Sequence, residues 1–355
     1  MSNDSRVMEG DLALISKHRN ALMGIAAIII CVFHEFLPIF PSETIIGDAE
    51  RFILRVSYYG VDIFLLLSGM SVAFSLLKDS STLSFYKKRA IRILPFYLLS
   101  ALFMFWTKGW TVKDYILNVS GYRFFTEDVN AYLWFATAII VFYLFAPLYQ
   151  KLVVKINKPV IVFVVTLAVW YLLSVGLRDY IREDLLYMIN RIPIFIFGMT
   201  LGNLIYNRKV ISSKLIFWLA IVSSLIMGWL LIYCYNYYLY DPLFGVWLQF
   251  VPLFLLGVST SYICAKFLDI INLKYVDKVL SFIGGISFEF YCVQMIFDVK
   301  LHDNIRKLGL WVGIRNILMF VSIAAIAWCL SKMVEQVVKA VSRLFKGKSG
   351  STAKT

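Results

Sequence analysis

The amino-acid sequence predicts an all-α fold, a polytopic integral membrane helical bundle of about ten transmembrane helices. Of the 355 residues, 60% are hydrophobic and only 16% are charged, and the mean hydropathy is +0.76. Soluble domains are nearer to about half apolar and about a quarter charged. Apolar stretches of about 18 to 25 residues, long enough to cross a bilayer, recur along the whole chain. They are continuously apolar, whereas the strands of a membrane β-barrel alternate in polarity.

Apolar and polar segments divide the chain into three predicted parts. Residues 1–20 form a polar lead, residues 21–331 form the ten-span membrane domain, and residues 332–355 form a basic tail. The predicted spans are 21–40, 58–77, 92–106, 132–149, 159–175, 187–206, 215–233, 244–264, 279–297 and 311–331.

The basic residues predict the orientation of these spans. With the N-terminus in the cytoplasm, the inner segments carry 23 of the 35 Lys and Arg residues and the outer loops carry 10. Cytoplasmic loops are enriched in Lys and Arg, so we predict that both termini are cytoplasmic. The formal net charge of +13 reflects this asymmetry and the basic tail. Membrane lipid is therefore an expected partner, and nucleic acid is not.

The first span, GIAAIIICVFHEFLPIF, holds His34 and Glu35 side by side. Ionisable groups inside a membrane are rare and are functional candidates by default, and His is well suited to accept a proton near neutral pH. The structural alternative is a bond to a neighbouring helix. Adjacent helical residues point about 100° apart, so the imidazole should find its partner on another helix. His34 is expected roughly 20 Å into the membrane, toward the outer face.

The second span contains GVDIFLLLSGM. Asp62 lies near its outer end, at a depth similar to that of His34, and is a candidate to orient the imidazole. Ser68 and Gly69 lie near the middle, where small residues typically allow two helices to approach closely. Ser68 is also a candidate nucleophile.

The cytoplasmic loop FYKKRAIRILPFY carries four basic residues. Lys87 and Lys88 need no explanation beyond orientation and lipid contact. Arg89 and Arg92 are three residues apart, hence on one helix face, just before Pro95. Two guanidinium groups on one face can bind a phosphate-rich ligand, although lipid contact explains them equally well.

Other polar residues lie within or beside later spans. Arg191 enters the sixth span in NRIPIFIFGMTLG, and Glu289 and Gln294 lie in the ninth span among apolar residues. Trp134 lies at an outer interface, where Trp is common. The five cysteines form no CxxC pair and the three histidines are scattered, so we expect no metal site. We also expect replacement of His18 or His302 to have little effect.

The chain resembles the family-3 membrane acyltransferases, bacterial integral membrane enzymes that O-acylate surface polysaccharides and related molecules. The resemblance covers about residues 19 to 297 and rests on the shared order of GIAAIIICVFH, GVDIFLLLSGM, FYKKRAIRILPFY, YLWFATAIIVFYLFAPL, RIPIFIFGMTLG and FIGGISFEFYCVQ. It implies a multi-pass protein of the bacterial inner membrane. It also implies acyl-CoA, most often acetyl-CoA, as a co-substrate, with no permanently bound cofactor.

The resemblance assigns roles to matched positions. His34 matches the essential histidine of the first helix, and Arg89 and Arg92 match paired arginines associated with the acyl-CoA donor. Two positions depart from the family pattern. Met23 stands where the family usually has Arg or Lys, and Arg19, one helical turn earlier, can reach a similar depth. Gln294 stands where many members have His.

The expected reaction transfers an acyl group from cytosolic acyl-CoA to a hydroxyl of a cell-surface or lipid-linked carbohydrate. His34 is expected to be the general base, with Asp62 or Glu35 holding its tautomer. Direct transfer and a covalent route through Ser68 or a tyrosine both remain open. Two other functions fit the residues: a proton-coupled transporter or exporter, with its buried charges, and a non-catalytic partner in glycan assembly.

Overall fold

The computed structural model describes residues 12–127, 134–177, 180–207, 214–238 and 245–349, which are mostly helical and contain no strand. This confirms the predicted all-α fold. In chain order the helices are α1 Ala13–Lys17, α2 Arg19–Glu35, α3 Ile45–Val56, α4 Gly60–Lys78, α5 Thr82–Lys108, α6 Val112–Val119, α7 Tyr122–Thr126, α8 Trp134–Ile156, α9 Pro159–Gly176, α10 Glu183–Ile189, α11 Ile192–Tyr206, α12 Lys214–Tyr238, α13 Gly245–Ile271, α14 Lys274–Gly285, α15 Ser287–Arg306 and α16 Val312–Ser349.

Many of these helices can cross a membrane. Within the described residues, seven continuous helical stretches are long and apolar enough to do so, and the bent pair α14–α15 makes an eighth if it is one span. The two other predicted spans fall on α2, which has 17 residues, and on α12, whose shorter apolar part is Trp218–Leu230. Each predicted span thus falls on a helix or a helix pair. The chain is a multi-pass membrane protein, and the count of ten remains a prediction.

The first predicted span is shorter than expected. The sequence predicted residues 21–40, but α2 ends at Glu35 and Phe36 is extended. Pro38 disfavours helical geometry at the residue before it. The backbone after Glu35 forms hydrogen bonds with side chains instead of with a further helical turn. The Leu37 N–H donates to the Asn316 side chain, which in turn donates to the Leu37 carbonyl group. The Ile39 N–H donates to the Glu50 carboxylate.

Two further predictions about local structure were wrong. The stretch predicted as the loop FYKKRAIRILPFY is helical, because α5 begins at Thr82, where the Ser81 side chain accepts from the Ser84 N–H as an N-cap. The ninth span is not one helix. It bends by 62° between Lys274–Gly285 and Ser287–Phe297, directly after two consecutive glycines, the residue type that favours helix ends and kinks.

Helices α4 and α11 form the centre of the bundle. Most of their side chains are buried, whereas α9 and α16 expose most of theirs. The two central helices pack backbone against backbone. A Cβ placed on Gly69 would lie 2.2 Å from the Phe195 carbonyl oxygen, and one on Gly198 would lie 2.1 Å from that of Leu66. The small-residue interpretation of Gly69 is therefore confirmed.

Candidate active site

One end of the bundle carries Arg89 on α5. Its guanidinium lies over the rings of Phe85 and Tyr143, at 5.4 and 5.0 Å from their centres, and donates to the Ser71 carbonyl at 3.4 Å. Aromatic faces attract the cation without neutralising its charge. The side chain is thus held in place while its charge remains available.

Arg92, one turn further along α5, has different surroundings. It forms an ion pair with Glu289, with a second bond to that carboxylate at 3.1 Å, and it donates to the Gly285 carbonyl at 3.0 Å. Glu289 is buried, whereas the Arg92 side chain is 47% exposed. Arg92 therefore balances a buried carboxylate and ties α5 to both sides of the α14–α15 bend.

Arg19 begins α2 at the same end of the bundle. Here α2 and α14 touch through glycines, since a Cβ on Gly284 would lie 1.9 Å from the Asn20 carbonyl oxygen. Arg19 therefore lies beside the bend to which Arg92 is bonded. Burial, and then the positive charge of Arg89, lower the pKa of Arg19. In the part of the chain that the structure describes, neither Arg19 nor Arg89 forms an ion pair.

Among the neighbouring lysines, Lys88 pairs with Asp79 at 3.0 Å. Hydrogen bonds from Ser84 and then from Lys88 lower the pKa of Asp79 to about 2. Lys87 and Lys88 are exposed. Both lysines are therefore more exposed to solvent than Arg19 and Arg89, which are half-buried.

Ser68 lies near this end of the bundle. Its hydroxyl is 2.7 Å from the Tyr143 hydroxyl, and the Tyr143 ring also lies under Arg89. The Ser68–Tyr143 pair is a polar contact between α4 and α8. It leaves open both of the sequence interpretations of Ser68, a helix contact and a nucleophile.

The opposite end of α2 carries His34, its penultimate residue. The imidazole is exposed, and its ring packs edge-to-face on Phe33 with centres 4.8 Å apart. Arg19 and His34 are fifteen residues apart on one helix, a distance of about 22 Å. The two sets of predicted site residues thus lie at opposite ends of α2.

Asp62 has a partner that the sequence did not indicate. Its carboxylate lies 3.5 Å from the Arg191 guanidinium, and both side chains are buried. Arg191 also lies over the Trp134 ring at 5.3 Å. Asp62 was a candidate to orient His34, but in the structure it balances Arg191. This contact joins three of the predicted site residues into one cluster at the starts of α4, α8 and α11.

Glu35, the last residue of α2, contacts a histidine on another helix. Its fully buried carboxylate lies 3.2 Å from Nε2 of His302 on α15. Gln294 on the same helix donates to the Ile30 carbonyl at 3.4 Å. Helix α15 therefore follows α2 toward its His34 end.

The structure brings most of the predicted residues into two groups. Arg19, Arg89 and Arg92 lie with Glu289 at one end, and Asp62, Arg191 and Trp134 form a cluster elsewhere. Sequence reasoning missed Tyr143 and His302. Tyr143 gave no signal because aromatic residues are common in membrane helices. His302 lies beyond the predicted end of the ninth span and was expected to be dispensable.

Comparisons with known proteins bear on the chain as a whole. A model of the family 3 acyltransferases, described as an acyltransferase domain, matches residues 20–333. No curated protein and no solved structure shows significant similarity. The match covers the bulk of the chain and contains all of the candidate residues except Arg19, which immediately precedes it. With its membrane-spanning helices and this match, the chain belongs to the family 3 acyltransferases and is a membrane acyltransferase that transfers groups other than amino-acyl groups.

Proposed function

We propose that this acyltransferase moves an acetyl group from cytosolic acetyl-CoA to a hydroxyl of a cell-surface or lipid-linked carbohydrate. The proposal places it in the inner membrane of a bacterium, with both termini in the cytoplasm. The single observation that carries it is the arrangement along α2. Uncompensated guanidinium groups lie at one end and an accessible imidazole lies at the other, within a chain of an acyltransferase family.

The donor is proposed to bind at the arginine end. Arg89 and Arg19 are half-buried cations without a carboxylate partner among the described residues, a state that favours an anionic ligand. The phosphates of CoA fit this charge, and guanidinium groups bind phosphate through paired hydrogen bonds. In this assignment Arg19 supplies the charge that Met23 lacks. Arg92 supports the site by fixing the α14–α15 bend through Glu289.

The acyl group is proposed to react at the His34 end. The pantetheine arm of CoA is long and flexible, so it can carry the thioester along α2 away from the bound phosphates. His34 takes the proton of the acceptor hydroxyl as the oxygen attacks the thioester carbonyl. The exposed position of His34 at the helix end leaves it open to an acceptor from outside the bundle.

Buried ionisable groups such as the Asp62–Arg191 pair would also suit a proton-coupled transporter. Membership of an acyltransferase family favours the enzyme over that alternative. No specific observation supports a non-catalytic role.

The test is mass spectrometry of surface glycans from cells with the intact gene, without it, and with His34→Ala. We expect each modified site to lose the mass of one acetyl group in the deletion strain and in the His34→Ala strain. The sugar that changes identifies the acceptor. Identical glycans and glycolipids in all three strains would refute a carbohydrate acceptor.

A further inference from the structure

We propose that helix α3 binds the acceptor, and that the acceptor is a sugar joined through phosphate to a long apolar chain. The inference rests on the proposed function, because it takes a carbohydrate as the acceptor and the His34 end as the place where the acyl group reacts. It goes further by choosing the lipid-linked form of that carbohydrate. It assigns the phosphate to Arg55, with Arg51 beside it, and the apolar chain to the isoleucines of the same helix.

Helix α3 extends toward the His34 end of the bundle. It continues through the short helix Ser57–Tyr59 into α4, and Ile45–Lys78 forms one helical stretch of 34 residues. At the opposite end of α4, the Ser71 carbonyl accepts from Arg89. Helix α4 therefore runs antiparallel to α2, and the residues that precede it lie on the side of the bundle away from the arginine end.

Arg55 lies at about the same level of the bundle as His34. A Cβ on Gly60 would lie 2.8 Å from the Ile30 side chain and 3.1 Å from the Ala26 carbonyl oxygen, so the start of α4 is level with this part of α2. Arg55 is five residues before Gly60, about 7.5 Å further along the helix. His34 is four to eight residues beyond the same contact, about 6 to 12 Å along α2.

The guanidinium groups of α3 are not neutralised by the acids of the same helix. Arg51 donates to the Phe40 carbonyl at 3.3 Å, which is a neutral partner. Arg55 is exposed and forms no hydrogen bond or ion pair within the ranges that the structure describes. Glu50 accepts instead from the Phe40 N–H at 2.9 Å, and Asp48 lies in the first turn, where a negative charge favours the helix dipole.

This position favours an anionic ligand. A cation within a membrane is costly unless it faces water or an anion, and Arg55 lies near the level of His34, which is expected below the outer headgroups. Arg51 and Arg55 are four residues apart and are therefore neighbours on one helix face. Paired guanidinium groups bind phosphate well.

The same helix presents a separate apolar face. Ile45, Ile46 and Ile53 are 89%, 60% and 56% exposed. With 3.6 residues per turn, the three side chains lie within about 100° of the helix circumference, and Arg51 and Arg55 lie outside that sector. Phe52 packs over Gly228 of α12, since a Cβ there would lie 3.5 Å from its ring. This contact fixes the rotation of α3 and leaves the isoleucine face without a protein neighbour.

The two faces together fit a lipid-linked sugar better than an ordinary phospholipid. Amphipathic helices of this kind lie where apolar chains meet charged groups, and either lipid supplies both. Only the lipid-linked sugar also carries a hydroxyl that can accept the acyl group. With its phosphate at Arg55 and its chain along the isoleucines, the sugar lies at the level of His34.

The test uses the full-length protein in nanodiscs of zwitterionic phospholipid, with acetyl-CoA as donor. One acceptor is the lipid extract of a strain lacking the gene. The other is the same extract after mild acid, which releases the sugars from their phosphate. We expect KM for the intact extract to be at least about tenfold lower than KM for the released sugars, because a charge-assisted contact contributes this much.

Arg55→Gln removes the charge at an exposed position, so the variant should fold as the wild type does. We expect KM for the intact extract to rise about tenfold, while KM for the released sugars and for acetyl-CoA stays unchanged. Lys113→Gln, at an exposed basic position on α6, is the matched control and should behave as the wild type. Ile53→Gln should raise KM for the intact extract about threefold, through lost apolar contact.

The outcomes separate this inference from the proposed function. Wild-type protein that acetylates neither acceptor, with or without anionic phospholipid in the nanodiscs, contradicts the proposed function. Equal KM for the two acceptors, or an Arg55→Gln protein with unchanged KM for the intact extract, contradicts the role of α3 alone. Transfer that requires anionic phospholipid and does not distinguish the two acceptors would show that α3 binds phospholipid headgroups, and it also overturns the inference.

Discussion

Arg89 and Arg92 lie one helical turn apart on α5, yet their charges have different surroundings. Arg89 is held by two aromatic rings and a carbonyl group, whereas Arg92 is bound to the buried carboxylate of Glu289. The sequence presents them as an equivalent pair. Their contacts predict different roles. Arg89 acts mainly in binding the ligand, whereas Arg92 acts mainly in stabilising the folded protein.

Arg89→Lys should weaken CoA binding about ten- to a hundredfold, because a charge-assisted hydrogen bond of this kind contributes about 1.5–3 kcal/mol and Lys cannot bond in the same planar, paired way. The measurement is the concentration of CoA needed to raise the melting temperature of the purified protein. Lys87→Arg, at an exposed position two residues away, is the control and should not differ from the wild type. A melting temperature that millimolar CoA does not move in the wild type would contradict a donor site.

Arg92→Gln should lower the melting temperature even without CoA. The substitution leaves Glu289 buried without its cation. Removing one member of a buried ion pair costs about 3–5 kcal/mol of stability. Because Arg92 is partly exposed, we expect a loss of stability at or below the lower end of that range. Arg92→Gln combined with Glu289→Gln should recover much of the loss, because the uncompensated charge is then removed. Equal stability of the single and double variants would show that the uncompensated charge of Glu289 contributes little to the loss.

His34→Ala should abolish acyl transfer and leave the yield and melting temperature near those of the wild type. Ala is well tolerated in a helix, and His34 is exposed, so its removal leaves no buried cavity. Acetyl transfer from acetyl-CoA is the readout. Substantial transfer by a well-folded His34→Ala protein would show that another group is the base.

The contacts between helices depend on small residues at a few crossings. Gly69 and Gly198 bring α4 and α11 into backbone contact, and Gly24 and Gly284 do the same for α2 and α14. The first crossing brings the starts of α4 and α11 together, where Asp62 meets Arg191. The second places Arg19 beside the bend that Arg92 holds. Both groups of site residues therefore depend on glycine contacts distant from them in sequence.

Gly198→Ala should destabilise the protein by about 1–3 kcal/mol, the usual cost of overpacking, because its Cβ would meet the Leu66 carbonyl oxygen at 2.1 Å. The measurement is the melting temperature in detergent or nanodiscs. Gly176→Ala is the matched control: Gly176 ends α9, and a Cβ there would have no neighbour within 4 Å. Similar melting temperatures for the two variants would contradict the close contact between α4 and α11.

Across the whole protein, the orientation of the helices determines which cellular compartment each end of the bundle faces. The distribution of Lys and Arg predicts cytoplasmic termini. This orientation places Arg19 and Arg89 on the side where CoA is found. It also places His34 toward the opposite side, where surface carbohydrates mature.

Single cysteines introduced into a variant without native cysteines test this orientation in intact cells. Cysteines at position 87, which is exposed, and at position 347 should resist an impermeant thiol reagent, and cysteines at 125 and 240 should react. The physical basis is the excess of basic residues in cytoplasmic loops. Labelling at position 87 but not at 125 would invert the topology and separate the arginines from cytosolic CoA.

The sequence by itself determined the helical membrane class, the approximate position of each span and the family. These properties follow from local composition, since a continuous apolar stretch of sufficient length forms a membrane helix whatever its neighbours. His34, Arg89 and Arg92 were found in the same way, as ionisable residues at or within apolar spans. Local signals also existed for the shorter α2 and the bent α14–α15, namely Pro38 and the Gly284–Gly285 pair.

Only the tertiary structure decided which charged groups meet. Asp62 pairs with Arg191, Glu289 with Arg92 and Glu35 with His302, and the members of each pair are more than a hundred residues apart in the chain. Every acid in the membrane domain had several possible basic partners. The choice depends on which helices are neighbours and on their rotation and depth, and these follow from packing at contacts such as Gly69 with Phe195.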